Sequence, residues 1–131
     1  MSLDWPTFVL QRRINQPLSN VTRTLFEPEN VGTDDELELG THGRLIVDKR
    51  FSRAPFPSEE SFVAQGALHT SRGQRVARVE VEVGAWSNDA TVLTLRPVAR
   101  NPQRWSGQRA TRYFELAHEG VDALARLARA S

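Results

Sequence analysis

Four side chains that could take part in chemistry lie in segments whose other residues are mostly apolar. Arg12 interrupts the apolar face of the first predicted strand, and Asp48 shares a later predicted strand with Ile46. Either side chain could line a cavity, and the Arg12 guanidinium could orient the carboxylate of a bound molecule. Tyr113 could supply a hydroxyl and His118 an imidazole. Arg12, Tyr113 and His118 together are therefore candidate acid, base or orienting groups of an enzyme.

These residues also have purely structural interpretations. Arg12 could pair with a neighbouring acid on the outside of the sheet. His118 could be a helix residue that is half-exposed or whose ring nitrogens already have hydrogen-bond partners. Trp5, Trp86 and Trp105 all fall at the ends of predicted elements. They could form the entrance of a cavity, or they could simply cap the core.

Several classes of function lack sequence support. The chain has no cysteine, which excludes disulfides, thiolate metal sites and a cysteine nucleophile. Its histidines, His42, His69 and His118, form no His-x-x-x-His pair, and the acidic stretch from Glu27 to Glu38 lacks the spacing of an EF-hand, so no metal site is predicted. No Gly-x-Ser-x-Gly, Gly-x-Gly-x-x-Gly or phosphate-loop motif occurs, and no cofactor is expected.

Length, charge and hydropathy indicate a soluble protein with one domain. The 131 residues suffice for one continuous hydrophobic core, so a single domain over residues 1–131 is predicted. The formal net charge of +1 provides no overall field for nucleic acid. No apolar run approaches the roughly 18–20 residues of a membrane span. The N-terminus lacks a secretory pattern, so a cytoplasmic location is expected.

Periodicity predicts an antiparallel sheet with a short helix after its first strand. In Arg75–Trp86, small and β-branched residues alternate with outward residues such as Glu80 and Glu82, which predicts one solvated face. A similar alternation places Val47 and Phe51 on one face. The predicted elements are strands at Thr7–Asn15, Arg44–Phe51, Ser61–Thr70, Arg75–Trp86 and Ala90–Val98, a weak edge strand at Glu36–Leu39, and a helix from Pro17 to Phe26 that Pro28 ends.

The segment Tyr113–Ala130 predicts a long amphipathic helix. Its apolar residues, Leu127 among them, recur at three- and four-residue steps, while interleaved acids and arginines predict a solvated opposite face. Ser106 is the predicted N-cap of this helix. Because one buried face supplies most of the stability of a helix in a folded protein, this helix needs a surface to lie against. The curved sheet is its natural partner.

The order of these elements resembles the helix-grip fold. The resemblance is carried by Phe8–Ile14 leading into Pro17–Val21, by Thr91–Pro97, and by Arg112–Leu116 running into Leu124–Leu127. On these segments the chain resembles the START-like superfamily, also called SRPBCC or Bet v 1-like, and in particular its small bacterial members of the polyketide cyclase/dehydrase type. The resemblance implies an α+β protein whose sheet wraps around the final helix. It also implies a cavity between them, which in many relatives holds a lipid, polyketide, sterol or other apolar molecule.

Small side chains on the facing surfaces would leave such a space unfilled, since large residues there would close it. We expect such small residues at Ala64, Gly66 and Ala77 of the sheet and at Ala117 and Ala128 of the helix, with Val121 as a further lining residue. Three functions are then open: a carrier of a small hydrophobic ligand, a cyclase- or dehydratase-type enzyme, and an interaction module. The interaction module would form a homodimer through a sheet edge or the tryptophan-rich ends.

Overall fold

The described chain builds one antiparallel sheet and two helices. The computed structural model describes residues 8–26, 35–39, 43–53, 61–99 and 102–130. Trp5, His42, Pro55 and most of the acidic stretch lie outside the described residues. The elements are β1 (Leu10–Ile14), α1 (Leu18–Phe26), β2 (Asp35–Leu39), β3 (Gly43–Arg53), β4 (Ser61–Thr70), β5 (Arg75–Ser87), β6 (Ala90–Pro97), a 3-10 turn (Pro102–Arg104) and α2 (Gly107–Ala130).

The sheet has six strands in the order β1-β6-β5-β4-β3-β2, and every neighbouring pair is antiparallel. Helix α2 contacts all six strands, including both edge strands. A straight helix touches both edges of a sheet this wide only if the sheet curves around it. The predicted α+β helix-grip architecture, with a short helix after the first strand, is therefore confirmed, and the weak edge strand is present as β2.

The face of the sheet turned towards α2 carries the core. One row across four strands consists of Leu10, Leu95, Val81 and Ala64, which are paired in register and all buried. Helix α1 closes one end of this core, where Val21 is fully buried. The core is continuous from the sheet to α2 because the alternating pattern of the strands and the stripe of the helix supply matching apolar surfaces.

Three irregularities in strand pairing bend the sheet. The register shifts leave Asp48 of β3 and Val76 and Trp86 of β5 without a directly paired residue. Such bulges bend a strand and increase its twist. The bulge at Asp48 also corrects the sequence prediction for β3. Val47 is in register with Gly66 and Phe51 with Val63, and these two positions of β4 belong to opposite faces. Because of the extra residue, positions 47 and 51 are therefore on opposite faces and not on one face as predicted.

The face of the sheet turned away from α2 carries charged side chains but also buried ones, Val63 and Ala67 among them, which corrects the expectation of a solvated face. Glu80 is only 8% exposed. Its carboxylate accepts hydrogen bonds from Arg96 Nη1 at 2.7 Å and Gln65 Nε2 at 3.2 Å, and Arg96 Nη2 also donates to Glu82 at 3.0 Å. Burial opposes the charge of Arg96, but these hydrogen bonds outweigh it and raise the pKa of the guanidinium. Neighbouring strands thus bury a glutamate by pairing it across the sheet.

The start of α2 follows the sequence prediction, and one position near its end does not. Ser106 Oγ accepts a hydrogen bond from the backbone N–H of Arg109 at 3.2 Å, which satisfies a donor in the first turn. Leu127 continues the apolar pattern of the helix but is 45% exposed.

Candidate functional site

A cleft opens between the β4–β5 turn and the first half of α2. It has a volume of about 690 Å³, within the range of pockets that hold small molecules. Its walls are Thr70, Ser71, Arg72 and Gln74 on the turn and Gly107, Gln108, Thr111, Arg112, Glu115 and Leu116 on the helix. Leu116 is 3% exposed and belongs to the core cluster, so the cleft connects the surface to the edge of the core.

Local hydrogen bonds fix the turn that forms one wall of the cleft. The backbone N–H of Thr70 donates to Gln74 O at 2.8 Å, and that of Gly73 donates to Thr70 O at 2.9 Å. Gly73 has a φ of 86°, a conformation that side chains disfavour and glycine tolerates. Thr70 Oγ1 accepts the Gln74 N–H at 3.2 Å. The turn is therefore specified by its own residues, and it carries Arg72 at its tip.

A second link holds the opposite wall against the sheet. The Arg109 side chain donates from Nε to the backbone carbonyl of Val76 at 2.9 Å, and its guanidinium carbon lies 4.4 Å from the ring centroid of Trp105. Val76 is the bulged residue that β4 leaves unpaired. The bulge thus frees a carbonyl that anchors the first turn of α2.

The cleft is strongly cationic although the chain is nearly neutral. An adjoining depression shares Thr70, Gln74, Gln108 and Arg112 with it and adds Arg75 and Arg109. The combined lining contains four arginines, at 72, 75, 109 and 112, and one carboxylate, Glu115. The side chains of Arg72, Arg75 and Arg112 make no hydrogen bond or ion pair with the described part of the chain. All three are exposed, so their charges face solvent without a carboxylate partner among the described residues.

Arg12 lies at the seam between the sheet and α2. Its Nε donates to Asp122 Oδ1 of the helix at 3.0 Å, and the two side chains are 34% and 50% exposed. The prediction that an acid would pair with Arg12 is met, but on the helix-facing side of the sheet. His118 is exposed one helical turn before Asp122, and both line a shallow groove with Glu115, Glu119 and Arg126.

Tyr113 is fully buried and its hydroxyl is occupied. The hydroxyl donates to the backbone carbonyl of Phe8 at 2.5 Å. The ring packs edge-on against Trp105 at a centroid distance of 5.4 Å and lies 6.1 Å from the ring of Phe8. Burial raises the pKa of the Tyr113 phenol. Tyr113 therefore fastens the start of β1 to α2 and does not meet Arg12 or His118 in a common site.

Asp48 lies on the face of the sheet turned away from α2. Its two carboxylate oxygens accept from the Arg78 guanidinium at 2.9 and 3.2 Å, an arrangement that raises the pKa of Arg78 chiefly through the hydrogen bonds. Arg78 alternates with the buried residues Ala77 and Val79 and so points to the opposite side. Regular alternation from Leu45 and Val47, which belong to or pack against the core, places Asp48 on this outer face. It does not lie in the interior, where it was expected as a cavity group.

The small residues expected around a cavity are all buried, but they differ in what surrounds them. Ala77, Ala117 and Val121 belong to the core cluster, and Ala64 is 7% exposed. Gly66 is a separate case, because a Cβ there would collide with the backbone carbonyl of Ile46. The absence of a side chain at Gly66 is thus required by the close approach of β3, and it does not by itself indicate free space.

The tryptophans that the structure describes do not form an entrance cluster. Trp105 is half-buried against Phe8, which precedes β1. Trp86 is 64% exposed and follows Ala85. Ala85 pairs with Thr91, and Thr91 pairs with Ile14, the last residue of β1. The two rings therefore lie at opposite ends of the sheet.

The described residues contain no group of three or more His, Asp or Glu side chains that could hold a metal ion. Within the same ranges, neither helix combines the length and apolar character that crossing a membrane requires.

The sequence did not predict the cationic cleft, since Arg72 and Arg112 are 40 positions apart. One available signal was the first turn of α2, which contains Arg109 and no acid although acids are favoured there.

Comparisons with known proteins assign no family to the chain. Neither the models of protein families nor the curated proteins contain a match.

Proposed function

We propose that the protein binds a small, largely apolar molecule between α2 and the sheet, and that the cleft beside the β4–β5 turn is the mouth of this site. The observation that carries the proposal is the position of Leu116. This residue lies at once in the lining of an open cleft and in the hydrophobic core. An apolar group that entered the cleft would meet a surface continuous with the core, where removal from water stabilises it.

The cyclase or dehydratase alternative receives less support from the geometry. Tyr113 is engaged with Phe8, Arg12 with Asp122, and His118 is on the exposed side of α2. General acid–base catalysis requires such groups within hydrogen-bond reach of one reacting molecule. A binding role needs only the cleft and its apolar floor.

The test is to measure binding of a neutral apolar fluorophore, N-phenyl-1-naphthylamine, and to record native mass spectra after gentle purification. We expect saturable fluorescence enhancement and a retained small molecule. Thr111→Trp should reduce both, because Thr111 is exposed and lines the cleft, so that an indole there fills the mouth without entering the core.

Arg126→Trp is the matched control, since Arg126 is exposed on the same helix and lines the other groove. It should bind the fluorophore like the unmodified protein. The proposal is overturned if the unmodified protein neither binds the fluorophore nor retains a molecule, or if both variants bind equally well.

A further inference from the structure

We infer that the ligand of this site is an amphiphile whose polar end is an oxyanion, a carboxylate or a phosphate, held at the mouth by Arg72 and Arg112. This inference rests on the proposed function and names the chemical class of its ligand. It follows from the contrast between the floor of the cleft at Leu116 and the rim above it. Leu116 is the one apolar side chain in the described lining, and the rim carries Arg72 and Arg112, which have no carboxylate partner among the described residues.

The arginines of the rim are available to a ligand. Arg72 and Arg112 come from different elements, the β4–β5 turn and α2, and both are exposed. Arg75 lines the adjoining depression. Elsewhere in the described chain, Arg12, Arg78 and Arg96 are paired with carboxylates, whereas Arg13 and Arg104 make no ion pair with a described residue. The rim differs from these sites because three such arginines line adjoining depressions whose described lining holds one carboxylate, in a chain whose formal net charge is +1.

Guanidinium chemistry selects the partner. Arginine presents a planar fork of donors that matches the two oxygens of a carboxylate or phosphate, and charge-assisted hydrogen bonds of this kind are stronger than neutral ones. Gln108 and Thr111 add neutral polar groups to the same lining. Glu115 is the opposing charge in the lining, one turn beyond Arg112, and it should weaken the binding of an anion.

The positive charge at the rim does not come only from the N-terminus of α2. Ser106 already caps the first turn of α2, and Arg109 is held by Val76 and Trp105. The groups left for a ligand are side chains that reach the cleft from two sides. An anionic end on the rim would place an attached apolar chain towards Leu116.

The experiment compares probes that share one tail and differ in the polar end. Dodecanoate, dodecyl phosphate and dodecanol, each below its critical micelle concentration, are titrated against N-phenyl-1-naphthylamine bound to the full chain. We expect the two anions to displace the fluorophore at concentrations at least about tenfold lower than dodecanol does, a ratio that corresponds to roughly one good charge-assisted contact. The advantage should shrink with added salt, because exposed charges are screened.

The double variant Arg72→Gln, Arg112→Gln should lose the preference for the anions and keep the affinity for dodecanol. Arg126→Gln should retain the preference, and Glu115→Gln should increase it. Thermal unfolding of each variant confirms that it is folded. Equal binding of dodecanol and dodecanoate by the unmodified protein would overturn the inference, as would an equal loss of both in the double variant.

The outcomes separate this inference from the proposed function. Binding of the neutral fluorophore and of dodecanol without any preference for anions contradicts the inferred oxyanion end of the ligand and leaves the proposed function intact. No binding of any probe contradicts both. Inorganic phosphate or acetate that competes as well as the dodecyl anions supports the arginine rim and contradicts the apolar tail.

Discussion

Tyr113 joins three parts of the molecule through one ring and one hydroxyl. The ring packs against Trp105, which precedes α2, and the hydroxyl donates to the backbone carbonyl of Phe8, two residues before β1. We expected the Tyr113 hydroxyl to contact a ligand. A helical pattern indicates that the tyrosine faces inward, but it does not identify the group that the hydroxyl contacts. The partner, a backbone carbonyl 105 positions away, is fixed only by the tertiary fold.

Replacing Tyr113 by Phe should lower the free energy of unfolding by about 1 kcal/mol at neutral pH, because one buried hydrogen bond is lost. Burial raises the phenol pKa in the folded protein above its unfolded value of about 10. The stabilising contribution of this shift is complete below about pH 10 and is lost as the pH rises further, because the unfolded tyrosine then ionises while the folded one does not.

The difference in stability between the unmodified protein and Tyr113→Phe should therefore narrow above about pH 10. Urea unfolding at a series of alkaline pH values measures it, and ultraviolet absorbance of tyrosinate follows the only tyrosine of the chain. A constant difference up to strongly alkaline pH would contradict a protonated, buried phenol.

At the scale of the element, β3 passes so close to Gly66 of β4 that a side chain there would collide with the backbone carbonyl of Ile46. A Cβ at this position would also lie 2.9 Å from Val47 Cα, next to the bulge at Asp48. Glycine is therefore needed for this close approach of β3. Asp48 lies on the face away from α2 by regular alternation from Leu45 and Val47, and the bulge reverses the alternation only from position 49 onward. One extra residue in a strand thus decides which face the positions after it occupy.

Gly66→Ala should destabilise the protein by about 1–3 kcal/mol, the usual cost of forcing extra atoms into a packed region. Gly84→Ala is the control, because the nearest atom to a Cβ there is Ser61 Cβ at 3.9 Å. The control should be neutral or slightly stabilising. Chemical denaturation measures both, and equal effects of the two substitutions would be incompatible with the close approach of β3.

Periodicity predicted the elements well because one face of each is buried. The bounds of β4 were predicted to the residue, and α2 was predicted with its N-cap. Periodicity failed where a local event reverses it, as after Asp48, or where a partner on another strand buries a charge, as at Glu80. The cationic cleft was missed for a third reason: its residues are brought together by the fold and share no local pattern.

At the scale of the whole molecule, positive charge is distributed unevenly along α2. Arg112, near the start of the helix, faces the rim with Arg72 and Arg75. Arg126, near the end, lies in a groove with Glu115, Glu119 and Asp122. Two exposed arginines on one helix thus experience opposite surroundings.

Arg112→Gln and Arg126→Gln should consequently change stability in opposite directions at low ionic strength. Removal of Arg112 relieves repulsion and should stabilise the fold by about 0.3 kcal/mol, whereas removal of Arg126 should destabilise it by a similar amount. Glutamine and arginine have nearly equal helix propensities, so the backbone contributes little. Urea unfolding at low salt and near 1 M NaCl tests this, since both effects should vanish in the concentrated salt. Shifts of the same sign would argue against the charge distribution.

The contact of α2 with every strand has a consequence for the order of events during synthesis. A ribosome makes all six strands before it makes residues 107–130, so α1 alone covers one end of the concave surface of the nascent sheet until α2 emerges. Exposed apolar surface and unpaired strand edges promote aggregation at that stage. The nascent chain should thus depend on chaperones until its last helix closes over the strands.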